Sequence, residues 1–181
     1  FLAVVTINGL YLREGPGLLL PGIASYNYGD TVEVLGRAPG WGWVYVGTND
    51  GLKGYMKLEL LDLQGVNFYD APIVTPPNYV IVKGHVYAPN GSPASHITLI
   101  LIPPGGTIAN ADDATTNVLG EFYFFLPAGS SGTWTLEANA YSCESSATDD
   151  QCALIGYFPP SVEIDVKNAA EVWQNLELTN D

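Results

Sequence analysis

Charge is what this chain of 181 residues has least of. Charged side chains make up 14% of it, against about 25% in an ordinary soluble domain. Basic groups are scarcer still, with 6 against 19 acidic and a formal net charge of −13. So acidic a chain repels phosphate backbones and anionic lipid, which excludes nucleic-acid binding through phosphates. The imbalance is uneven, at −3 over residues 1–70 and −10 over residues 71–181. No apolar run approaches the roughly 20 residues of a membrane span, so no membrane insertion is expected. Cysteine is also scarce: Cys143 and Cys152 are separated by eight residues rich in Ser, Thr and Asp. Neither has a CxxC partner, so a disulfide closing this loop is favoured over a metal site. That implies an oxidising, extracellular location.

Chemistry-bearing motifs are missing as well. His85 and His96 straddle the Asn90-Gly91 turn, with no third metal ligand evident. Asp112-Asp113 and Asp149-Asp150 are carboxylate pairs expected in loops. Neither forms the calcium-loop pattern, and solvated loops explain them. There is no G-x-S-x-G elbow, phosphate-binding loop or dinucleotide fingerprint. We therefore expect no catalytic residue, no metal and no cofactor. Asn90-Gly91-Ser92 is the one N-x-[ST] sequon, which makes Asn90 a glycosylation candidate, although Pro93 disfavours modification. The pairs Thr115-Thr116, Ser130-Ser131 and Ser145-Ser146 are further candidates for O-linked sugar.

What is present is apolar and patterned for β-structure. The apolar share is 47%, so with few charges the surface is built from Ser, Thr, Asn, Gly and aromatics. Such a chain exposes apolar area or buries it against neighbours. Val32 and Val34 alternate with Thr31 and Glu33, and Trp43 to Val46 repeats the pattern, as half-buried strands do. Asn49-Asp50-Gly51 marks a hairpin turn. Leu18-Leu19-Leu20-Pro21-Gly22-Ile23 is an unusually apolar loop, read either as packing beneath a barrel or as a contact surface. Residues 64–79 hold Pro72, Pro76 and Pro77 and read as an extended connector. Phe68, Tyr69, Ile73 and Val74 are too apolar for a free linker and are expected to dock on one domain.

From Val80 onward, Val80, Val82, Gly84, Val86 and Ala88 share one strand face. Ile97 to Ile102 is apolar on both faces, as a central or outwardly covered strand would be. Phe122, Phe124 and Leu126 point one way, as do Trp134, Leu136 and Ala138, and then Val162, Ile164 and Val166. Leu176 and Leu178 complete the set. No segment sustains a 3.6-residue period, and short strands at regular spacing predict a β-sandwich.

Two ordered motif sets add resemblances. Leu10-Tyr11-Leu12-Arg13-Glu14-Gly15-Pro16-Gly17, then Tyr28 to Leu35, then Trp41-Gly42-Trp43-Val44-Tyr45-Val46, then Gly54-Tyr55-Met56-Lys57 resemble the bacterial Src-homology-3-like family over residues 1–63. The finish departs from the family's glycine-tryptophan-valine. The resemblance implies a small barrel with an aromatic groove for wall peptide or glycan. Its candidates are Tyr11, Tyr26, Trp41 and Tyr55, with Asp30 and Asp50 as polar partners. The competing reading is that so small a barrel needs large side chains in its core. Gly84, Val86, Gly91, Pro93, Thr116, Gly120, Phe122, Phe124, Pro127, Gly129 and Leu136 resemble the carboxypeptidase regulatory-like, transthyretin-like sandwich family over residues 79–179. That implies an extracellular spacer without catalytic residues.

The sequence thus predicts an all-β chain: a small Src-homology-3-like barrel over 1–63, a connector over 64–79 and an immunoglobulin-like (transthyretin-like) sandwich over 80–181. The preferred function is a non-catalytic extracellular or cell-surface subunit that assembles with copies of itself into a filament or layer. Its candidate assembly residues are Leu18, Leu19, Leu20, Ile23, Ile97, Ile100 and Ile102. Strand addition by a terminal segment such as Phe1 to Thr6 is one mechanism. The alternative is binding of cell-wall glycan or peptide with the sandwich as spacer, or the non-catalytic part of a longer secreted hydrolase.

Overall fold

The computed structural model describes residues 1–139, 161–167 and 170–179. The chain divides into two compact units, Phe1–Pro77 and Asn78–Asp181. Both are all-β, and no α-helix occurs among the described residues.

The first unit has seven strands: β1 (Leu2–Val5), β2 (Leu10–Arg13), β3 (Gly22–Tyr26), β4 (Thr31–Arg37), β5 (Trp43–Thr48), β6 (Lys53–Lys57) and β7 (Leu61–Asp62). They form one antiparallel sheet in the order β3-β2-β6-β5-β4-β1-β7. Alternation sends Ala3 and Val5, Leu10 and Leu12, Val32 and Val34, and Val44 and Val46 into one cluster with Met56. Inward residues from nearly every strand meet in that cluster, so the sheet curls around it as a small barrel. Each fully buried Val or Leu there contributes about 1.5–3 kcal/mol. Register shifts at Leu12/Arg13 and Val34/Gly36 supply the bends. The hairpin at Asn49-Asp50-Gly51 is closed by Thr48 N–H donating to the Leu52 carbonyl at 3.0 Å.

Two expectations change here. The segment Phe1 to Thr6 does not reach outward, because β1 is paired on both sides by β4 and β7 and buries Ala3 and Val5 completely. Leu20 is not a surface residue: Arg13 Nη1 donates to the Leu18 and Leu20 carbonyls at 3.3 and 2.7 Å and draws the loop down, leaving Leu20 1% exposed. Residues 64–77, expected as a connector docked on one domain, fall within the first unit. Phe68 joins the barrel core. Arg37 holds this stretch, with its N–H on the Pro72 carbonyl, its carbonyl accepting from Val74, and its guanidinium over the Phe68 and Tyr69 rings.

The second unit is a two-sheet sandwich. Its strands are β8 (Val80–Tyr87), β9 (Thr98–Ile102), β10 (Asp112–Thr115), β11 (Glu121–Leu126), β12 (Gly132–Asn139), β13 (Val162–Val166), β14 (Glu171–Trp173) and β15 (Leu176–Glu177). One sheet runs β10-β9-β12-β13, and the other runs β11-β8-β14, with β15 also on β8. The interior is filled by Val82, Val86, Leu99, Leu101, Phe122, Phe124, Leu126, Leu136 and Val166, each at most 1% exposed. Ile97 faces inward as well, at 7% exposed, which removes it from the assembly candidates.

The last strands lie parallel to the first, pairing Val172 with Val82 and Leu176 with Val86. Between them the chain steps aside at Gln174-Asn175. There the Asn175 side chain takes the His85 N–H at 3.0 Å, replacing a strand acceptor. Gly84 permits this approach, because a Cβ at that position would run into the Gln174 carbonyl.

Candidate functional site

The aromatic groove expected on the first unit is only partly assembled. Tyr11 lies 55% exposed on β2. It lines a groove of about 140 Å³ with Ile7, Leu18, Trp43 and Leu60, rimmed by Arg13 and Lys57. Arg13 lies 5.5 Å from the Tyr11 ring centroid, and Lys57 lies 5.7 Å from that of Trp43. Two of the 6 basic residues therefore stand at one apolar groove of an otherwise acidic chain.

The other groove candidates lie elsewhere. Tyr55 is 2% exposed. Its ring packs 5.0 Å from Tyr45, and its hydroxyl donates to the Val74 carbonyl at 3.3 Å, so it is a core residue rather than a ligand contact. Trp41 is half-buried against the barrel core. Tyr26 donates to Asp50 Oδ1 at 2.9 Å, and Thr48 Oγ1 donates to the same oxygen at 2.5 Å. The Thr48 and Tyr26 hydroxyls hold the Asp50 carboxyl below its ordinary value, and burial raises the Tyr26 phenol. Asp30 accepts from the Asn27 N–H at 2.7 Å, closing its own turn. Asp30 and Asp50 are thus turn-forming groups and do not line the groove.

Sequence reasoning missed Ile7, Trp43, Lys57 and Leu60 at the groove. Trp43 could have been found, since it opens a strand whose register sets it opposite Lys57.

On the second unit, the apolar face of β9 is covered in part. Ile100 and Ile102 are half-buried, while Leu99 and Leu101 are fully buried. Ile23 on β3 is 45% exposed, and Leu18 and Leu19 are half-buried. A more exposed apolar pair, not singled out from the sequence, is Val118-Leu119, at 56% and 58%.

Asn117 builds the loop that carries this pair. It is buried, its Oδ1 accepts the N–H groups of Leu119 and Glu121 at 2.9 and 3.0 Å, and its Nδ2 donates to Glu121 Oε2 at 2.9 Å. Its backbone pairs with Glu121 and Gly120. Gly120, at φ 74, closes the turn where a Cβ would press on the Val86 carbonyl. The result is a fixed loop that sets two aliphatic side chains into solvent.

Two of the polar candidates sit differently from expectation. Asp112-Asp113 lies in strand β10 rather than in a loop, and Asp112 is buried. His85 faces Glu121 at 3.6 Å, and His96 contacts Ser95 at 3.2 Å. Among the described residues, no group of three or more His, Cys, Asp or Glu side chains is placed to hold a metal ion. Asn90 is exposed on its turn, where its Oδ1 accepts from the Ser92 N–H and hydroxyl at 3.0 and 2.6 Å. Cys143, Cys152, Asp149 and Asp150 lie outside the described residues. Among the described residues, no helix is long and apolar enough to cross a membrane.

The sequence matches no family model and no curated protein. Among solved structures, the chain is similar to BcpA, the major pilin subunit of Bacillus cereus, with a TM-score of 0.43 and 11% identity over 77% of this chain and 37% of that one. A variant of the same subunit gives a TM-score of 0.40 and 11% identity, covering 99% of this chain and 59% of that one. This chain therefore spans between 37% and 59% of the length of the pilin chains it matches.

Proposed function

We propose that this chain is a non-catalytic structural subunit of an extracellular surface assembly, and that it associates with further copies of itself. The observation that carries the reading is the Asn117-built loop. A buried side chain making three hydrogen bonds holds Val118 and Leu119 outside at 56% and 58% exposure. Because the loop is already ordered, little conformational entropy is lost when an aliphatic pair on it enters a partner's pocket. The small number of charges supports the same reading, since apolar surface is what such a chain has to offer a neighbour.

Light scattering on the native protein, with negative-stain microscopy of the same sample, tests it. Polymers or a mass of several chains are expected, and V118S/L119S should reduce that mass while leaving the far-ultraviolet circular dichroism unchanged. A clean monomer at high concentration would sink the proposal.

A second reading has its own observation. The groove at Tyr11, Leu18 and Trp43, rimmed by Arg13 and Lys57, suits an anionic, partly apolar peptide of the kind found in cell walls. Retention on purified peptidoglycan, abolished by Tyr11→Ala together with Lys57→Ala, would favour it.

A further inference from the structure

The barrel carries an open notch on the solvent side of its sheet. Directly opposed residues of β1, β4, β5 and β6 set Leu2, Glu33, Gly47 and Lys53 in one row across four strands. Leu2, Glu33 and Lys53 are all exposed, so the row faces water. Its third member has no side chain, and the face is hollow there. Leu35 leans over the hollow, since a Cβ on Gly47 would stand 3.2 Å from its Cδ1. Leu2 and Leu52, 60% and 38% exposed, form the walls of a groove of about 300 Å³. A single exposed leucine is ordinary on a protein surface. Three around one hollow make a receiving site for apolar groups.

Charge and size define the occupant. Glu33 and Lys53 stand on either side of Gly47, two strand spacings or about 10 Å apart. Neither makes an ion pair among the described residues, and together they leave no net charge over the groove. An aliphatic tip without charge is the complement. The chain itself presents one, because residues 117–120 carry no charged side chain and expose Val118 and Leu119 at 56% and 58%. An apolar cavity of about 150 Å³ takes a group the size of benzene. The groove at Gly47 therefore has room for two aliphatic side chains, whereas the groove of about 140 Å³ at Tyr11 has room for one. Both partners are preformed, the tip by the Asn117 hydrogen bonds and the groove by strand pairing, so docking orders little that was free.

We infer that Val118 and Leu119 of one copy enter the Gly47 groove of a second copy. This rests on the assembly reading and adds the site that receives the loop. Tip and groove lie on different units of the chain, so each copy offers one of each and the contact joins unlike surfaces. A contact of that kind leaves a free tip at one end of a pair and a free groove at the other. It therefore continues into a ring or a filament and does not stop at a dimer.

The test is light scattering on three variants of the full chain, alone and mixed. V118S/L119S removes the tip, L2S/L52S removes the walls, and Gly47→Val fills the hollow. The first two change exposed residues and the third asks only the end of Leu35 to move, so all three should melt like the parent. Each alone is expected to fall to the mass of one chain where the parent assembles. An equimolar mixture of V118S/L119S with either groove variant should rise to the mass of two chains and no further, because one intact groove meets one intact tip. If the parent assembles and V118S/L119S does not, but both groove variants assemble like the parent, the loop docks elsewhere. That result overturns this inference and leaves the assembly reading standing. A mixture that stays at one chain, or grows past two, overturns it as well. A parent that never assembles overturns both.

Discussion

Thr116 is wholly buried, and its hydroxyl serves two backbone groups, accepting from the Ile97 N–H at 2.9 Å and donating to the Ala94 carbonyl at 2.7 Å. Thr116→Val keeps the shape and strands both, so we expect a loss of about 2–3 kcal/mol in urea unfolding. Thr116 is visible in the sequence only as part of a motif, since its hydroxyl's partners, Ala94 and Ile97, come from the distant connection between β8 and β9. Tyr123 offers a pH test. Its phenol is raised by burial and by Glu121 and Glu171 above an ordinary value of 10.0. The folded state therefore holds that proton longer than the unfolded chain does. The associated stability is complete below pH 10 and is lost as pH rises through the folded value. Tyr123→Phe should remove that part of the alkaline loss, measured by thermal melts at neutral and at strongly alkaline pH. Tyr55 shows where reading single residues stops. In β6, Gly54, Tyr55 and Met56 are all buried, so alternation fails there. The Tyr55 hydroxyl is covered by Val74, which arrives from a segment nineteen residues later.

Strand faces were legible where one side of an element meets a core and the other meets water. In β8, Val80, Val82, Gly84 and Val86 turn inward as their spacing requires, and Ala88 just past its end does the same. The pairing of β14 and β15 with β8 was not legible, because three-residue and two-residue strands carry too few side chains to show a period. The enabling residue, Gly84, reads in sequence as an ordinary inward position. Gly84→Ala should drive the Gln174 carbonyl away and release β14 and β15, seen as faster hydrogen exchange at Val172, Trp173 and Leu176 while β9 and β12 stay protected. In the first unit, Arg37 is the corresponding fastener. Arg37→Ala removes its hydrogen bond to the Ala71 carbonyl and its position over Phe68 and Tyr69. A loss of about 1–2 kcal/mol is expected, measured by denaturant unfolding. The groove residues escaped sequence reading for a related reason. Ile7, Trp43, Lys57 and Leu60 lie far apart in the chain and meet only once the sheet curls.

At the scale of the molecule, the chain divides into two compact units, and among the described residues the buried barrel cluster draws on positions from Ala3 to Ala71. Distant substitutions should therefore act separately. In scanning calorimetry, Arg37→Ala is expected to lower a transition that Thr116→Val leaves in place, and the converse. The parallel pairing of the first and last strands has a mechanical consequence. Tension applied at the two ends of the second unit pulls β8 backward and β15 forward along one shared ladder. The bonds from Ile81 to Tyr87 are then loaded together in shear and cannot open one after another like a zipper. A module built this way yields late and all at once, which is the behaviour wanted of a link in a chain under load.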